Sequence, residues 1–198
     1  LVASSEVALH CVLLPALKQY RALYPCIRLK ISNHSTPQAV DAIKNGIADI
    51  AVVTTPTLPS ASIEEIIVRK FREVAVYSPS FSKLSGRKVT FAELLEHPVI
   101  SLGTQTKTYE LYSEFFAKNG LRFRPETEAA TADQILPMVK ADLGIGFVPE
   151  EFLSGVEGVS VIKTEKPLPE REIRLLKRRE QPLGVAAKEL EKLILKQI

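Results

Sequence analysis

Four groups of polar residues stand where the sequence predicts that helices begin. They are Ser4 with Ser5, Ser35 with Thr36, Ser101 with Gly103, Thr104 and Gln105, and Thr131 with Gln134. The first turn of a helix carries unpaired backbone N–H groups and the positive end of the helix dipole, so it suits an anionic or carbonyl-bearing ligand. For any one of these residues helix capping is the simpler interpretation, and capping does not exclude contact with a ligand. These groups are therefore the candidates for a ligand site.

Residues that could bind a metal or act as nucleophiles are scattered along the chain. The histidines and cysteines are His10, His34, His97, Cys11 and Cys26. Their spacing matches no metal-ligand pattern and no CxxC pair, no serine lies in a GxSxG setting, and no carboxylate pair has a defined neighbourhood. We therefore predict no metal, no cofactor and no enzymatic activity. The histidines are interpreted as core or surface residues, with His34 of interest because it directly precedes the second polar group.

The stretch from Ser35 to Val53 organises the predicted fold. Thr36 is a predicted helix cap, and Pro37 suits the first helical position, where no N–H is needed. Gly46 stands where a helix needs a left-handed stop, and residues 50–53 are apolar without alternation, as in a strand covered on both faces. Such a strand predicts an α/β sheet, whose ligands bind beyond the carboxyl ends of the strands. The residues that follow this strand are then expected near the ligand.

The rest of the chain alternates predicted strands and helices. We predict strands at 1–3, 27–31, 50–53, 63–71, 73–77, 99–102, 125–129, 145–148, 159–162 and 172–176. We predict helices from Ser4 or Ser5 to about Tyr24 (kinked at Pro15), then from Thr36 to the stop at Gly46, and at 91–96, 104–119, 131–143 and 185–198.

Two lobes are expected from this order of elements. The composition becomes polar at Ser78, where a second series of strands and helices starts. Residues 1–77 and 159–198 are predicted to form lobe I, and residues 78–158 lobe II. The chain would cross twice between the lobes, a layout in which ligands commonly bind in a cleft between domains.

Composition narrows the classes of partner. The chain has 198 residues and a formal net charge of +3, too small to argue for nucleic-acid binding by this segment alone. No apolar run reaches the length of a membrane span, and no series of residues resembles a signal peptide. Two isolated cysteines fit a reducing compartment. We therefore predict a cytoplasmic protein that does not bind membranes.

Three motifs resemble one protein family. Leu13-Leu14-Pro15 followed by Tyr24-Pro25 resembles the "LLP…yP" opening of the effector-binding domain of LysR-type transcriptional regulators. The segment Asn45–Ala51 resembles that family's "G.lDla" signature, and Val139–Pro149 resembles its "V.aGlGia.lP" signature. The order and spacing of all three also fit, and the resemblance covers essentially the whole chain.

The resemblance implies a fold and a function. The fold would be like that of type 2 periplasmic binding proteins: two Rossmann-like lobes with a double crossover and a small-molecule effector in the cleft. The chain would be the effector-sensing domain of a regulator whose N-terminal winged helix-turn-helix and linker helix, absent from these residues, bind DNA. Polar residues at the helix starts contact the effector in this family, which favours Ser5, Thr36, Thr104 and Thr131. The effector is expected to be anionic.

The resemblance also implies a homodimer, with a tetramer as an alternative for the full-length protein. Family members pair side by side and antiparallel, the first helix of one chain against the second lobe of the other. Here Val7, Cys11 and Leu14 add apolar surface to the first helix, and the matching element would be the aromatic helix at 104–119. In the alternative interpretation, Pro15 kinks the helix and turns Leu14 into the core of its own lobe.

Two departures from the family pattern stand out, and one other function remains open. Asp142 stands where the family usually has glycine, and Asp tolerates a left-handed backbone better than most residues. The segment from Ser4 to Leu14 is about one residue longer than the usual pattern. The alternative function is an extracytoplasmic solute-binding receptor of a transporter, which has the same fold.

Overall fold

Two compact units make up the computed structural model, which describes residues 1–58 and 60–197. Unit 1 comprises Leu1–Phe71 and Arg171–Ile198, and unit 2 comprises Arg72–Glu170. The predicted end of the last helix, Ile198, lies outside the described residues.

The strands and helices alternate along most of the chain. The strands are β1 Val2–Ser4, β2 Ile31–Asn33, β3 Ile50–Thr54, β4 Ile63–Tyr77, β5 Lys88–Val89, β6 Val99–Leu102, β7 Thr127–Ala129, β8 Ile145–Pro149, β9 Ser160–Val161, β10 Lys163–Thr164 and β11 Glu170–Arg178. The α-helices are α1 Glu6–Ala8, α2 Leu14–Leu23, α3 Thr36–Lys44, α4 Phe91–Leu94, α5 Lys107–Lys118, α6 Ile135–Lys140 and α7 Val185–Leu195.

In unit 1 the strand order is β2-β1-β3-β11-β4. β1 pairs in parallel with β2 and β3, and β11 runs antiparallel to β3. Every residue of β3 is buried, as the apolar run predicts. The strand predicted at 27–31 is placed too early: β2 begins at Ile31, which pairs with Val2, the first residue of β1.

The helical segment after β1 contains a π-helical turn at Leu9–Leu13, between α1 and α2. A π turn inserts one residue into a helix, as a segment one residue longer than the usual family pattern would require. Pro15 cannot donate a hydrogen bond to the Cys11 carbonyl four residues earlier, and Nη1 of Arg69 donates to that carbonyl oxygen at 3.2 Å. The predicted exposed stripe of Val7, Cys11 and Leu14 is wrong for two of its members. Val7 and Cys11 are buried, whereas Leu14 is 45% exposed.

In unit 2 the strand order is β4-β8-β6-β7, with β9 on β4 and a separate pair of β5 with β10. β6 is parallel to β7 and β8, and β4 is antiparallel to β8. Its core is aromatic: the rings of Phe116 and Phe123 stack with centroids 5.3 Å apart, and those of Tyr112 and Phe147 at 4.6 Å. Tyr112 and Phe116 are therefore core residues of unit 2 and not surplus surface on α5.

The limits of the units differ from the predicted lobes at both crossings. The predicted strands at 63–71 and 73–77 are one continuous strand, β4, so the division between the units falls inside it. Residues from Ser160 to Thr164 belong to unit 2, since β9 pairs with β4 at Val76 and Tyr77 and β10 pairs with β5.

A side-chain hydrogen bond fixes the turn at Asp142, which has φ of +62°. The Ser78 hydroxyl donates to Oδ1 of Asp142, and Ser78 is buried at the end of β4. Hydrogen bonds from Ser78 and then Ser80 hold the pKa of the Asp142 carboxyl below its ordinary value. Asp142 therefore adopts the glycine conformation and also anchors the turn before β8 to the segment after β4.

We expect Asp142→Asn to weaken the pH dependence of stability. A carboxyl whose pKa is lowered by folding stabilises the folded state above its unfolded pKa, about 3.9 for Asp, and this contribution is lost as pH falls through the lowered pKa. The stability difference between wild type and variant should be full at pH 6 and shrink in acid, measured by urea unfolding from pH 7 downward. Asp41→Asn, an exposed change on α3, is the control. A pH-independent difference would contradict the carboxylate's role.

Candidate functional site

In unit 1 the polar residues gather at the carboxyl ends of β1 and β3. The Ser5 N–H donates to the Val52 carbonyl at 3.1 Å, and Oγ of Ser4 donates to the same oxygen at 3.2 Å. The His34 N–H donates to the Ser4 carbonyl at 2.9 Å. The Ser5 hydroxyl is buried and makes no hydrogen bond within the part of the chain that the structure describes. A buried hydroxyl without a partner is costly, so Ser5 is the member of this group best suited to a ligand.

The second group caps α3 in a different way from the prediction. Ser35 is the N-cap, with its N–H donating to Oε1 of Gln38 at 2.9 Å, and Thr36 is already helical. The buried Thr36 hydroxyl instead donates to the Thr54 carbonyl at 2.9 Å. This bond ties the start of α3 to the carboxyl end of β3, and it places both threonines beside the Ser5 region because β1 and β3 are paired.

Arg171 of β11 is a residue of this region that sequence reasoning missed. Its Nη2 donates to Oγ1 of Thr54 at 3.0 Å and its Nε donates to the Thr55 carbonyl at 2.9 Å. The guanidinium carbon lies 5.4 Å from the centroid of the Phe71 ring. Arg171 is only 3% exposed, and it lies 117 residues from Thr54 in the sequence. Its neighbours Glu170 and Glu172 are charged, a pattern typical of a surface strand, so the sequence does not indicate that Arg171 is buried here.

In unit 2 the third group follows β6. Ser101 is buried within the strand, and Gly103, Thr104 and Gln105 form the turn that leads to α5. The cap of α5 is Thr106, whose hydroxyl oxygen accepts from the Tyr109 N–H at 3.2 Å, so the helix begins three residues later than predicted. Thr104 and Gln105 are exposed in the turn, where their side chains are accessible to a ligand.

The fourth group follows β7, next to β6. Thr131 precedes a 3₁₀ turn at Ala132–Gln134 that leads into α6, so the predicted helix start is shared between two short elements. Oε1 of Gln134 accepts a hydrogen bond from the Ala130 N–H at 2.9 Å. Because β6 and β7 are parallel neighbours, with Leu102 opposite Ala129, the third and fourth groups lie at the same edge of the sheet of unit 2.

The predicted site residues therefore form one cluster in each unit. Ser4, Ser5, Ser35 and Thr36 come together in unit 1, and Ser101, Gly103, Thr104, Gln105, Thr131 and Gln134 come together in unit 2. His10 lies elsewhere, bonded to Glu6 at 3.0 Å, and His97 contacts Phe81. Among residues 1–58 and 60–197, no group of His, Cys, Asp and Glu side chains could hold a metal ion. None of the described helices is both long enough and apolar enough to cross a bilayer.

Known regulators resemble the chain in sequence. It is 25% identical over 174 residues to the uncharacterized HTH-type transcriptional regulator YwbI of Bacillus subtilis, an alignment that covers 87% of this chain and 58% of YwbI. It is 24% identical over 147 residues to the HTH-type transcriptional activator CmpR of Synechocystis, covering 73% of this chain and 47% of CmpR. The chain thus spans between about half and three fifths of the length of these relatives. Their names agree with the prediction that it is not an enzyme.

Solved structures share the fold. The regulatory domain of Synechocystis CcmR in complex with 2-PG superposes with a TM-score of 0.85 at 14% identity, covering 99% of this chain and 95% of that one. The effector-binding domain of QuiR in complex with shikimate also gives 0.85, at 15% identity, covering 98% and 94%. These matches confirm the predicted α/β fold of the type 2 periplasmic-binding-protein kind.

One family model matches the entire sequence. The LysR substrate binding domain model covers residues 1–198, which confirms the resemblance found in the three motifs. The chain belongs to the LysR substrate-binding domain family.

Proposed function

We propose that this chain is the effector-sensing domain of a LysR-type bacterial transcriptional regulator. A small molecule would bind through Ser5, Thr36, Thr104 and Thr131, and binding would control how the longer protein engages DNA. The observation that carries the proposal is the buried Ser5 hydroxyl, which makes no hydrogen bond to the described residues, at the same strand ends as the Thr36–Thr54 bond, where ligands of α/β sheets bind. Domains of this fold hold 2-PG in CcmR and shikimate in QuiR, which supports a small acidic effector here.

The regulator interpretation is favoured over the solute-receptor alternative. The relatives carry the names of HTH-type transcriptional regulators, and DNA contact by this protein would need a further domain of that kind. A cytoplasmic location is part of the same proposal, because a chain with only two isolated cysteines suits a reducing compartment.

Thr36→Val is expected to weaken effector binding about tenfold or more, because it leaves the Thr54 carbonyl unpaired, at a cost of roughly 1–3 kcal/mol, and releases the start of α3 from the end of β3 beside Ser5. The test is calorimetry with the compound that most raises the melting temperature in a screen of small carboxylic and phosphorylated acids. Thr164→Val is the matched control, because the Thr164 hydroxyl also donates to a backbone carbonyl, that of Lys166 at 2.7 Å. Unchanged affinity of the Thr36 variant would remove this residue from the site.

A homodimer is proposed as the assembly. Leu14 is 45% exposed at the start of α2, and an open groove of about 540 Å³ runs beside α5 in unit 2, lined in part by Tyr109, Leu121 and Phe123. In a two-fold, isologous pair the exposed Leu14 of each chain would meet the groove of the other.

Leu14→Asp is expected to raise the dimer dissociation constant at least about tenfold, because a buried interface anchor is typically worth more than 1 kcal/mol. Sedimentation equilibrium of the purified domain measures the constant. Val185→Asp, at a position that is 83% exposed on α7, is the control. A wild-type domain that stays monomeric at high micromolar concentration would contradict the proposed dimer for this domain.

A further inference from the structure

A carboxylate and an amide lie against Gly103, at the carboxyl end of β6. A Cβ atom placed on Gly103 would be 2.9 Å from Nε2 of Gln105 and 3.1 Å from a carboxylate oxygen of Glu128. Glu128 was not among the residues that the sequence suggested as a site. It is exposed on β7, a strand that reads as ordinary surface in the sequence.

The parallel pairing of β6 with β7 explains how Glu128 reaches this place. Its backbone partner in the register is Ser101, and residues paired in this way project from the same face of a sheet. Gly103 lies two residues beyond Ser101, so its missing side chain leaves room on that face for the end of the Glu128 side chain. The φ of Gly103 is not in the left-handed region, so the backbone conformation does not require glycine there. The space that glycine leaves is filled by Gln105 and Glu128.

This arrangement sets the chemistry that the unit 2 cluster offers. An ionised carboxylate only accepts hydrogen bonds, and it favours a cation or a strong donor over an anion. Gln105 adds one acceptor and two donors on the same side of Gly103. The unit 1 cluster, in contrast, offers the Ser5 hydroxyl, which makes no hydrogen bond to the described residues and can donate to an acidic group. An acidic effector of the kind proposed above would therefore need a separate hydrogen-bond donor to be accepted by the Glu128 carboxylate.

We propose that Glu128 is a specificity-determining residue, which selects effectors that bear an ammonium or hydroxyl group in addition to their acidic group. The inference rests on the proposed function of effector sensing and deepens it by naming the chemical class. The shared chemistry is donation of a hydrogen bond to the Glu128 carboxylate. An ammonium donor would also gain the attraction of opposite charges, which a hydroxyl would not.

The test compares matched sets of small acids that differ only in this donor. Succinate, malate and aspartate form one set, and propionate, lactate and alanine form another, extended to acids of two to six carbons. Melting temperatures identify binders and calorimetry gives their dissociation constants. We expect members with a donor to bind at least tenfold more tightly than the plain acid of the same set.

Variants then assign the selectivity to Glu128. Glu128→Gln should weaken an amino acid about tenfold or more, a hydroxy acid less, and a plain acid not at all, because the amide still accepts a hydrogen bond but carries no charge. Gly103→Ala should reduce the same selectivity, since a methyl group displaces the movable ends of Gln105 and Glu128 and leaves the fold intact. Glu114→Gln, an exposed change on α5, is the control that should alter nothing.

Two results would overturn the inference, and they differ in what they say about the proposed function. If plain acids bind as tightly as their amino and hydroxy partners, or if Glu128→Gln leaves the order unchanged, the specificity proposal fails while effector sensing stands. If no acid of any set binds the wild-type domain, the specificity proposal fails together with the acidic effector of the proposed function.

Discussion

Gly144→Ala is expected to lower the free energy of unfolding of unit 2 by about 3 kcal/mol or more, through the combined cost of strained backbone and overpacking. Gly144 has φ of +150°, and a Cβ atom there would lie 2.4 Å from the Pro98 carbonyl oxygen. That oxygen accepts a hydrogen bond from the Ile145 N–H at 2.8 Å, so the backbone cannot move away without breaking the start of β8. This close approach explains why glycine stands at position 144, within the segment Val139–Pro149 that matches the third family motif.

Urea unfolding followed by circular dichroism measures the change. Gly86→Ala is the matched control: Gly86 also has a positive φ, +74°, but apart from its chain neighbours no described residue has an atom within 4 Å of the added methyl group. The control should therefore lose only the backbone term, about 1–2 kcal/mol. Equal losses for the two variants would contradict the clash with Pro98.

Phe116→Ala is expected to cost about 3–5 kcal/mol, as truncation of a fully buried aromatic side chain does. Phe116 is 0% exposed, and its ring centroid lies 5.6 Å from that of Phe91 and 6.0 Å from that of Phe147. Removing the ring would leave a cavity in the middle of the aromatic core of unit 2. The free energy of unfolding, again from urea titration, is the readout.

Phe115→Ala separates this core role from the helix itself. Phe115 is the next residue of α5 and is only partly buried, although its ring also contacts that of Phe91 at 5.2 Å. Phe115→Ala should lower the free energy of unfolding by roughly 2 kcal/mol less than Phe116→Ala, because the Phe115 side chain buries less apolar area on folding. A larger loss for Phe115 than for Phe116 would show that the buried face of α5 is assigned wrongly.

The local patterns of the sequence predicted much of the fold. The buried strand β3 and the stops at Gly46 and Gly120 follow from nearest-neighbour chemistry, and both glycines have positive φ. Helix starts were uncertain by one to three residues where hydroxyl residues follow one another, as at Ser35 and Thr36. Either residue can cap, and only the contact of Thr36 with Thr54 shows which role each one takes.

Other features depend on contacts that no local pattern contains. Arg171 meets Thr54 because β11 pairs with β3, and Glu128 meets Gly103 because β7 pairs with β6. The buried side of the first helix was mistaken for surface because the π turn departs from the regular period of 3.6 residues on which an apolar stripe is traced. The polar residues at the strand ends can therefore be predicted from the sequence. Their charged neighbours, Arg171 and Glu128, are identified only from the structure.

The most direct test of effector sensing is a backbone amide NMR titration of the domain with the tightest binder from the matched acid sets. The account predicts saturable shifts of the amide signals of Ser5 and Thr36 in unit 1 and of Thr104 and Thr131 in unit 2, all with one dissociation constant. Shifts confined to other surfaces, such as the groove beside α5, would contradict it.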